Sequence, residues 1–343
     1  MVSSHIPVII DDWLSYKLAS EGRAKSTAAK YRANIARLSE FLAHNHQTDL
    51  LSASKSQLEA FTGLHLHEEG ISPRSRRAIV AAVKEFYRWA KEKSLVNSNP
   101  ASELVYPKAG RRLPTAMTLG SAEKLIMQPD ISTFIGLRDA TMIAIMVGCG
   151  VRVSGLVSLN EGHLQWFTYK GLDRLAIQVT EKGGRQRLVP VPYEATILLM
   201  AYLGHDELQA VDRLLEDGDK VLFISSRNRS IPAHEYRGEH RRLRRGSCWR
   251  IIQAYADQVG IPMDQAHPHA ARHLLGTELA EDDIPLLQMQ ALFGHADPKT
   301  TEIYTHLAMG KLTSAIDKAN PLGKMRTPVS HLVDEMKAQG LLS

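Results

Sequence analysis

Apolar residues recur at spacings of three and four through the first hundred residues and nowhere alternate in twos, so this stretch predicts helices alone. A short helix runs from Val8 to Ala19. A longer one is expected to start at a Ser26 cap and carries Ala28, Tyr31, Ile35, Leu38 and Leu42 on one side. A third begins near Ser54, with Leu58, Phe61 and Leu64 on its apolar face. The fourth opens on Ser72-Pro73, a capping hydroxyl followed by proline at the first helical position, and carries Ile79, Val83, Phe86 and Ala90. Together they predict a small helical bundle.

The periodicity then breaks. Residues 97–114, NSNPASELVYPKAGRRLP, hold three prolines and three basic side chains with no repeat of apolar positions, the signature of a linker. Beyond it the pattern is mixed. Helices are expected at 119–128 and 137–148, and β-like runs at 164–169, 175–180 and 187–192. The last two runs are joined by EKGGRQ, whose Gly183-Gly184 signals a hairpin. A helix over 193–204 and a strand at 221–225 follow, and the rest reads helical. Near the end, Val329, Leu332, Val333 and Met336 share one helix face, which could pack on the chain's own core or on a neighbouring subunit. The expected organisation is a helical domain over 1–105, a basic linker over 106–117, a mainly helical domain with a small β-sheet over 118–325, and a terminal helix or tail over 326–343.

Composition narrows the class. The chain has 343 residues, 44% hydrophobic and 23% charged, as in folded proteins. No run approaches the ~20 apolar residues of a membrane span, and the start lacks the basic and small-residue pattern of a signal peptide. The two cysteines, Cys149 and Cys248, suit a reducing compartment. A cytoplasmic chain with no membrane partner is therefore expected. Charge is uneven: 17 basic and 11 acidic side chains precede residue 116, against 25 and 26 after it. Arg23 and Lys25 stand before one predicted helix, and Arg74, Arg76 and Arg77 in the first turns of another. Cations there oppose the helix dipole, so phosphate contact explains them better than stability does. Lys108, Arg111 and Arg112 in the linker, and the run Arg241, Arg242, Arg244 and Arg245 ahead of a helix expected from Ser247, are further candidates for phosphate contact. A solvated surface accounts equally well for each group taken alone.

The candidate chemistry lies between His267 and Leu307. His269 and Arg272 share a helix face, Gly294-His295 follows an apolar helix, and Tyr304 comes nine residues later. Arginine is permanently charged and its fork fits phosphate oxygens, histidine exchanges protons near neutrality, and a deprotonated tyrosine is an oxygen nucleophile. His269 and His273 at i and i+4 have zinc-compatible spacing, but with no HExxH and no nearby cysteine no metal is expected. Nor does the chain carry a Gly-rich phosphate loop or a Ser-centred elbow.

This segment resembles the C-terminal catalytic motif of the tyrosine recombinase (phage integrase) family, especially its Xer-like members: His-x-x-Arg, then Leu-Gly-His, then Tyr-Thr-His. Upstream, Gly150-Val151-Arg152-Val153-Ser154 resembles the family's first arginine motif, and the stretch from Glu181 to Pro190 its β-hairpin lysine motif. Asn99-Pro100-Ala101 and Phe86-Tyr87-Arg88-Trp89 resemble its N-terminal domain. The resemblance implies a C-shaped clamp made of a SAM-like core-binding domain and an α+β catalytic domain. It implies that Tyr304 attacks a DNA phosphodiester and becomes joined to the 3′ phosphate. Arg152 and Arg272 would bind the non-bridging oxygens, Lys182 would protonate the leaving 5′ oxygen, His269 would serve as acid/base, and His295 would bond a phosphate oxygen. No cofactor is implied, since the bond energy is kept in the ester. The implied partners are double-stranded recombination sites with inverted repeats. Four protomers, alike or mixed with a related recombinase, would exchange C-terminal helices and strands through a Holliday junction.

One position departs from the pattern. Where the family usually has an acidic residue three places after the first arginine, this chain has Gly155, and Glu161 lies too far along to replace it. Two other readings stay open: a type IB topoisomerase, which shares the chemistry without exchanging partners, and a non-catalytic DNA-binding protein on a decayed recombinase fold.

Overall fold

A computed structural model describes residues 8–110, 116–180, 186–228, 230–294 and 307–342, which fall into two compact units, Met1–Arg112 and Leu113–Ser343. The first is helical throughout: α1 (Val8–Ala19), α2 (Lys25–His46), α3 (Lys55–Glu59), a π turn (Ala60–His65) leading into α4 (Leu66–Glu68), and α5 (Pro73–Glu92). Local chemistry sets several starts. Ser54 and Gln57 form a reciprocal capping box on α3, and the Ser72 hydroxyl accepts from the Ser75 amide with Pro73 at the first helical position of α5. Trp13 lies at the centre of the core, its ring 5.1 Å from Tyr31 and 5.4 Å from Phe86. Lys17, 1% exposed, is tolerated there because Glu21 and Glu85 flank its ammonium at 2.5 and 3.0 Å.

Two expectations fail locally. α2 starts at Lys25 behind an uncapped Ala24, so Ser26 lies inside the first turn rather than capping it. Leu64, expected in the core, is 63% exposed. The π turn adds a residue to the helical repeat and brings Leu66 inward in its place.

The second unit is built on α7 (Phe134–Cys149), buried along almost its whole length and capped by the Thr133 hydroxyl. α6 (Leu119–Ile126), α8 (Val153–Val157) and α12 (Pro268–Glu281) pack on it, as does α9 (Tyr193–Gly204), which is followed by α10 (Asp206–Gln209). Beside them lies one antiparallel sheet in the order β1 (Leu164–Tyr169), β2 (Leu172–Thr180), β3 (Gln186–Pro190), with Leu164 opposite Ile177 and Val179 opposite Arg187. The expected turn at Gly183-Gly184 lies outside the described residues. α11 (Arg245–Gln258), α13 (Leu286–Phe293), α14 (Leu307–Ala319) and α15 (Ser330–Ala338) complete the unit. α11 thus starts two residues before the expected Ser247.

The expected strand at 221–225 is a correction. Val221, Leu222, Phe223 and Ile224 are fully buried, but they make only isolated bridges, Asn160 to Val221 and Ile224 to Arg242. The stretch is apolar because it threads the core, not because it joins the sheet. α15 lies on α9 of its own chain, burying Val329 and Val333 and leaving Leu332 and Leu341 exposed. Among the described residues no helix is long and apolar enough to cross a membrane.

Candidate active site

Two glycines end helices immediately ahead of the candidate residues. Gly150 closes α7 at φ +59° and Gly294 closes α13 at φ +64°, left-handed conformations that favour glycine. The turn at Gly150 sends the chain into fully buried Val151, which anchors Arg152 at the head of α8. α12 starts with the His267 ring accepting from the Ala270 amide at 3.0 Å and with Pro268 in the first turn. His269 and Arg272 follow one turn apart, the histidine exposed and the arginine 8% exposed.

Arg272 joins three segments. It donates from Nη1 to the Gly150 carbonyl at 2.7 Å and from Nη2 to the Phe293 carbonyl at 2.5 Å, and its guanidinium lies 4.6 Å from the Phe293 ring centroid. The carbonyls it holds belong to the residues two places before Arg152 and two places before His295. A second guanidinium approaches the same helix end: Arg187 of β3 donates to the Leu292 carbonyl. Sequence reasoning missed Arg187. Its only signal was a charged residue in a strand otherwise running Leu188-Val189-Pro190 into the core.

The electrostatics mark the cluster as a place for an anion. Burial pushes the Arg272 guanidinium down to about 9, with Arg152 and Arg187 adding to the shift. Burial lowers Arg187 to about 10, Arg152 contributing and the Cys149 thiol opposing. His269 is held below its ordinary value by partial desolvation of its ring first, then by His267, Arg272, His273 and Arg152, which favours the neutral ring, the form that can accept a proton. A phosphate oxygen entering here would offset the mutual repulsion of these cations, which adds to the effect of burial in each shift.

The structure brings together Arg152, His269 and Arg272. Lys182, His295 and Tyr304 lie outside the described residues, as do Arg111 and Arg112. The helix that begins three residues after Tyr304 has a firm seat: α14 packs on β3, α12 and α13, and Asp317 takes both Nη atoms of Arg174, 2% exposed on β2, at 2.7 and 2.6 Å. Gly155 sits in α8 where an added Cβ would come within 2.7 Å of Val179 Cγ1, so any larger residue here requires the Val179 side chain to shift. Glu161 does not substitute, because it pairs with Arg213 at 2.5 Å. Among the described residues no group of three or more His, Cys, Asp or Glu side chains could hold a metal.

The expected phosphate-contacting residues separate into exposed and internally bonded ones. Lys25, Arg74, Lys108, Arg244 and Arg245 are exposed. Arg23 pairs with Glu21 at 3.2 Å. Arg76 donates to the Gly63 carbonyl at 3.4 Å, and Arg77 to that of Pro107 at 3.1 Å while covering the Tyr106 ring. Arg241 stacks on Tyr236, its guanidinium 4.0 Å from the ring centroid. Arg242 is occupied within the fold, donating to the carbonyls of Val157 and Leu159 at 3.0 Å, to Asn160 at 2.7 Å and to Glu239.

Comparison with known proteins agrees with this architecture. Residues 116–311 match the phage integrase family, and residues 10–94 match the N-terminal SAM-like domain of phage integrases. The chain is 28% identical over 319 residues to tyrosine recombinase XerD of Vibrio cholerae serotype O1, covering 91% of this chain and 96% of that protein. It is 29% identical over 316 residues to XerD of Proteus mirabilis, covering 92% and 94%. Among solved structures, XerH recombinase bound to its difH substrate before cleavage aligns with a TM-score of 0.61 at 17% identity, over 90% of this chain and 94% of that one. A lambda integrase dimer on a core site aligns at 0.58 and 17%, over 87% and 98%. The chain belongs to the phage integrase family, the tyrosine recombinases, enzymes that cleave and rejoin DNA in site-specific recombination.

Proposed function

We propose that this chain recombines paired DNA sites by using Tyr304 to open one phosphodiester at a time. The phenolic oxygen attacks phosphorus, a bond forms from Tyr304 Oη to the 3′ phosphate, and the bond to the 5′ oxygen breaks. His269, whose neutral form is favoured, accepts the phenolic proton, and Lys182 gives one to the departing 5′ oxygen, so charge and atoms balance without a cofactor. Arg152 and Arg272 meet the two non-bridging oxygens, with His295 bonding one of them, and stabilise the charge that builds on the five-coordinate phosphorus. Reversal with a 5′ hydroxyl from a partner duplex rejoins the strands.

The observation that carries this reading is the pair of hydrogen bonds that Arg272 donates to the Gly150 and Phe293 carbonyls, which gathers the flanks of Arg152 and His295 around one guanidinium. On DNA, four protomers would act in pairs through a Holliday junction, each seating α15 on a neighbour in place of its own α9. Lambda integrase, as a tetramer on a Holliday junction, shares the fold with a TM-score of 0.56. Domain limits of 1–105, 106–117, 118–325 and 326–343 are proposed for the four functional parts, with action in the cytoplasm on the nucleoid. Integration, excision and dimer resolution are all served by this chemistry.

The test is a supercoiled plasmid carrying two copies of the candidate site from the DNA flanking the coding region. Recombinant circles from the wild-type protein and none from Tyr304→Phe are expected. Relaxed circles without recombinants would assign the chain to topoisomerase-like action instead, and no change in the plasmid would leave it a DNA-binding protein.

A further inference from the structure

We infer that Arg187 is a positioning residue of this site, a third arginine that fixes the end of α13 from the sheet side while Arg272 fixes it from α12. The inference rests on the phosphodiester reading above. Three observations meet at this residue. The last carbonyls of a helix have no partners within it, and at α13 two successive ones, Leu292 and Phe293, are taken by Arg187 and Arg272 respectively. The two guanidinium groups therefore approach one helix end from two elements. Arg187 also stands directly opposite Val179 in the β2–β3 ladder, and directly opposed residues face the same side of a sheet. Val179 is the side chain that fills the space beside Gly155 on α8, the helix headed by Arg152. Arg187 thus lies on the sheet face turned toward Arg152, and it links β3 to the segment that ends in Phe293-Gly294.

The consequence concerns geometry more than binding. DNA is held by many phosphate contacts, so one internal bond changes affinity little. Reaction at phosphorus demands that donors sit within fractions of an ångström of the developing charge, so a slack helix end shows in the rate. Arg187→Met removes both donor and charge at similar length, whereas Arg187→Lys keeps the charge and one donor but loses the planar fork.

The experiment measures single-turnover cleavage of a nicked suicide duplex, DNA affinity by anisotropy, and thermal unfolding for wild type, Arg187→Met and Arg187→Lys. Cleavage is expected to fall about a hundredfold in Arg187→Met and about tenfold in Arg187→Lys, the scale set by displaced transition-state donors, with affinity within about threefold of wild type. If Arg187→Met does not fold, Arg187→Lys decides alone. Wild-type cleavage in either folded variant overturns the assignment, as does a loss that goes wholly into DNA affinity. No covalent adduct from the wild-type protein would instead overturn the phosphodiester reading, and this inference with it.

Discussion

Replacing Arg272 with lysine tests the geometry of the site most sharply, because the change keeps the charge and removes only the fork. The guanidinium reaches the Gly150 carbonyl at 2.7 Å and the Phe293 carbonyl at 2.5 Å from two different nitrogens. A single ammonium on a flexible stem cannot hold both and still face a phosphate. Leaving one buried carbonyl without its charged donor costs about 1–3 kcal/mol. In a unit of this size, unfolding moves by about 2–4 °C per kcal/mol, so calorimetry should show a fall of about 2–12 °C. The catalytic loss should be larger, since a donor aimed at developing negative charge is worth about two to three decades in rate. Scanning calorimetry and single-turnover cleavage of a suicide duplex would measure both. A variant that melts with the wild type and cleaves within threefold of it would refute the argument that Arg272 organises the site.

Three further outcomes follow from the same geometry. The pKa of His269 is lowered in the folded chain, so the unfolded chain binds the proton more readily; the stability this contributes is present above about 6.5, the ordinary imidazole value, and is lost as pH falls below it. Urea midpoints across pH 5–8 should therefore slope less on the acid side in His269→Gln than in wild type, and parallel curves would contradict this. Gly155→Glu should lower the unfolding temperature, because the new Cβ starts 2.7 Å from Val179 Cγ1 and overpacking costs about 1–3 kcal/mol; adding Val179→Ala should restore most of it, and a harmless single substitution would refute the steric account. Arg242→Ala should destabilise the fold by removing its bonds to Val157, Leu159 and Asn160. Arg244→Ala and Arg245→Ala should instead leave the melting temperature in place while each lowers the salt slope of DNA binding by about one, and the reverse pattern would show the roles were misassigned.

Sequence periodicity located most elements because each has one apolar face and ordinary caps. Ser72-Pro73 opened α5 as its chemistry required, and Ile79, Val83, Phe86 and Ala90 are all buried. It failed where a local irregularity or the core overrode the repeat. Leu64 was rotated outward by a π turn, and the fully buried Val221–Ile224 stretch looked like a strand only because both uses demand an apolar run. At the site, His269 and Arg272 stood out through spacing, and Arg152 only through its resemblance to the family's first arginine motif. Arg187 did not, since its role comes from a carbonyl on α13, 105 positions away along the chain. The difference among the four arginines at 241, 242, 244 and 245 was equally hidden, because what separates them is the acceptors that the fold brings to Arg242 and the ring it brings to Arg241.

The central claim, that Tyr304 is the nucleophile, is tested most directly by peptide mapping of the protein trapped on a nicked duplex. The account predicts one modified tryptic peptide, containing Tyr304 and carrying a nucleotide through its 3′ phosphate, with a free 5′ hydroxyl on the released strand. A nucleotide attached at any other residue, attachment through a 5′ phosphate, or an equal adduct from Tyr304→Phe would contradict it.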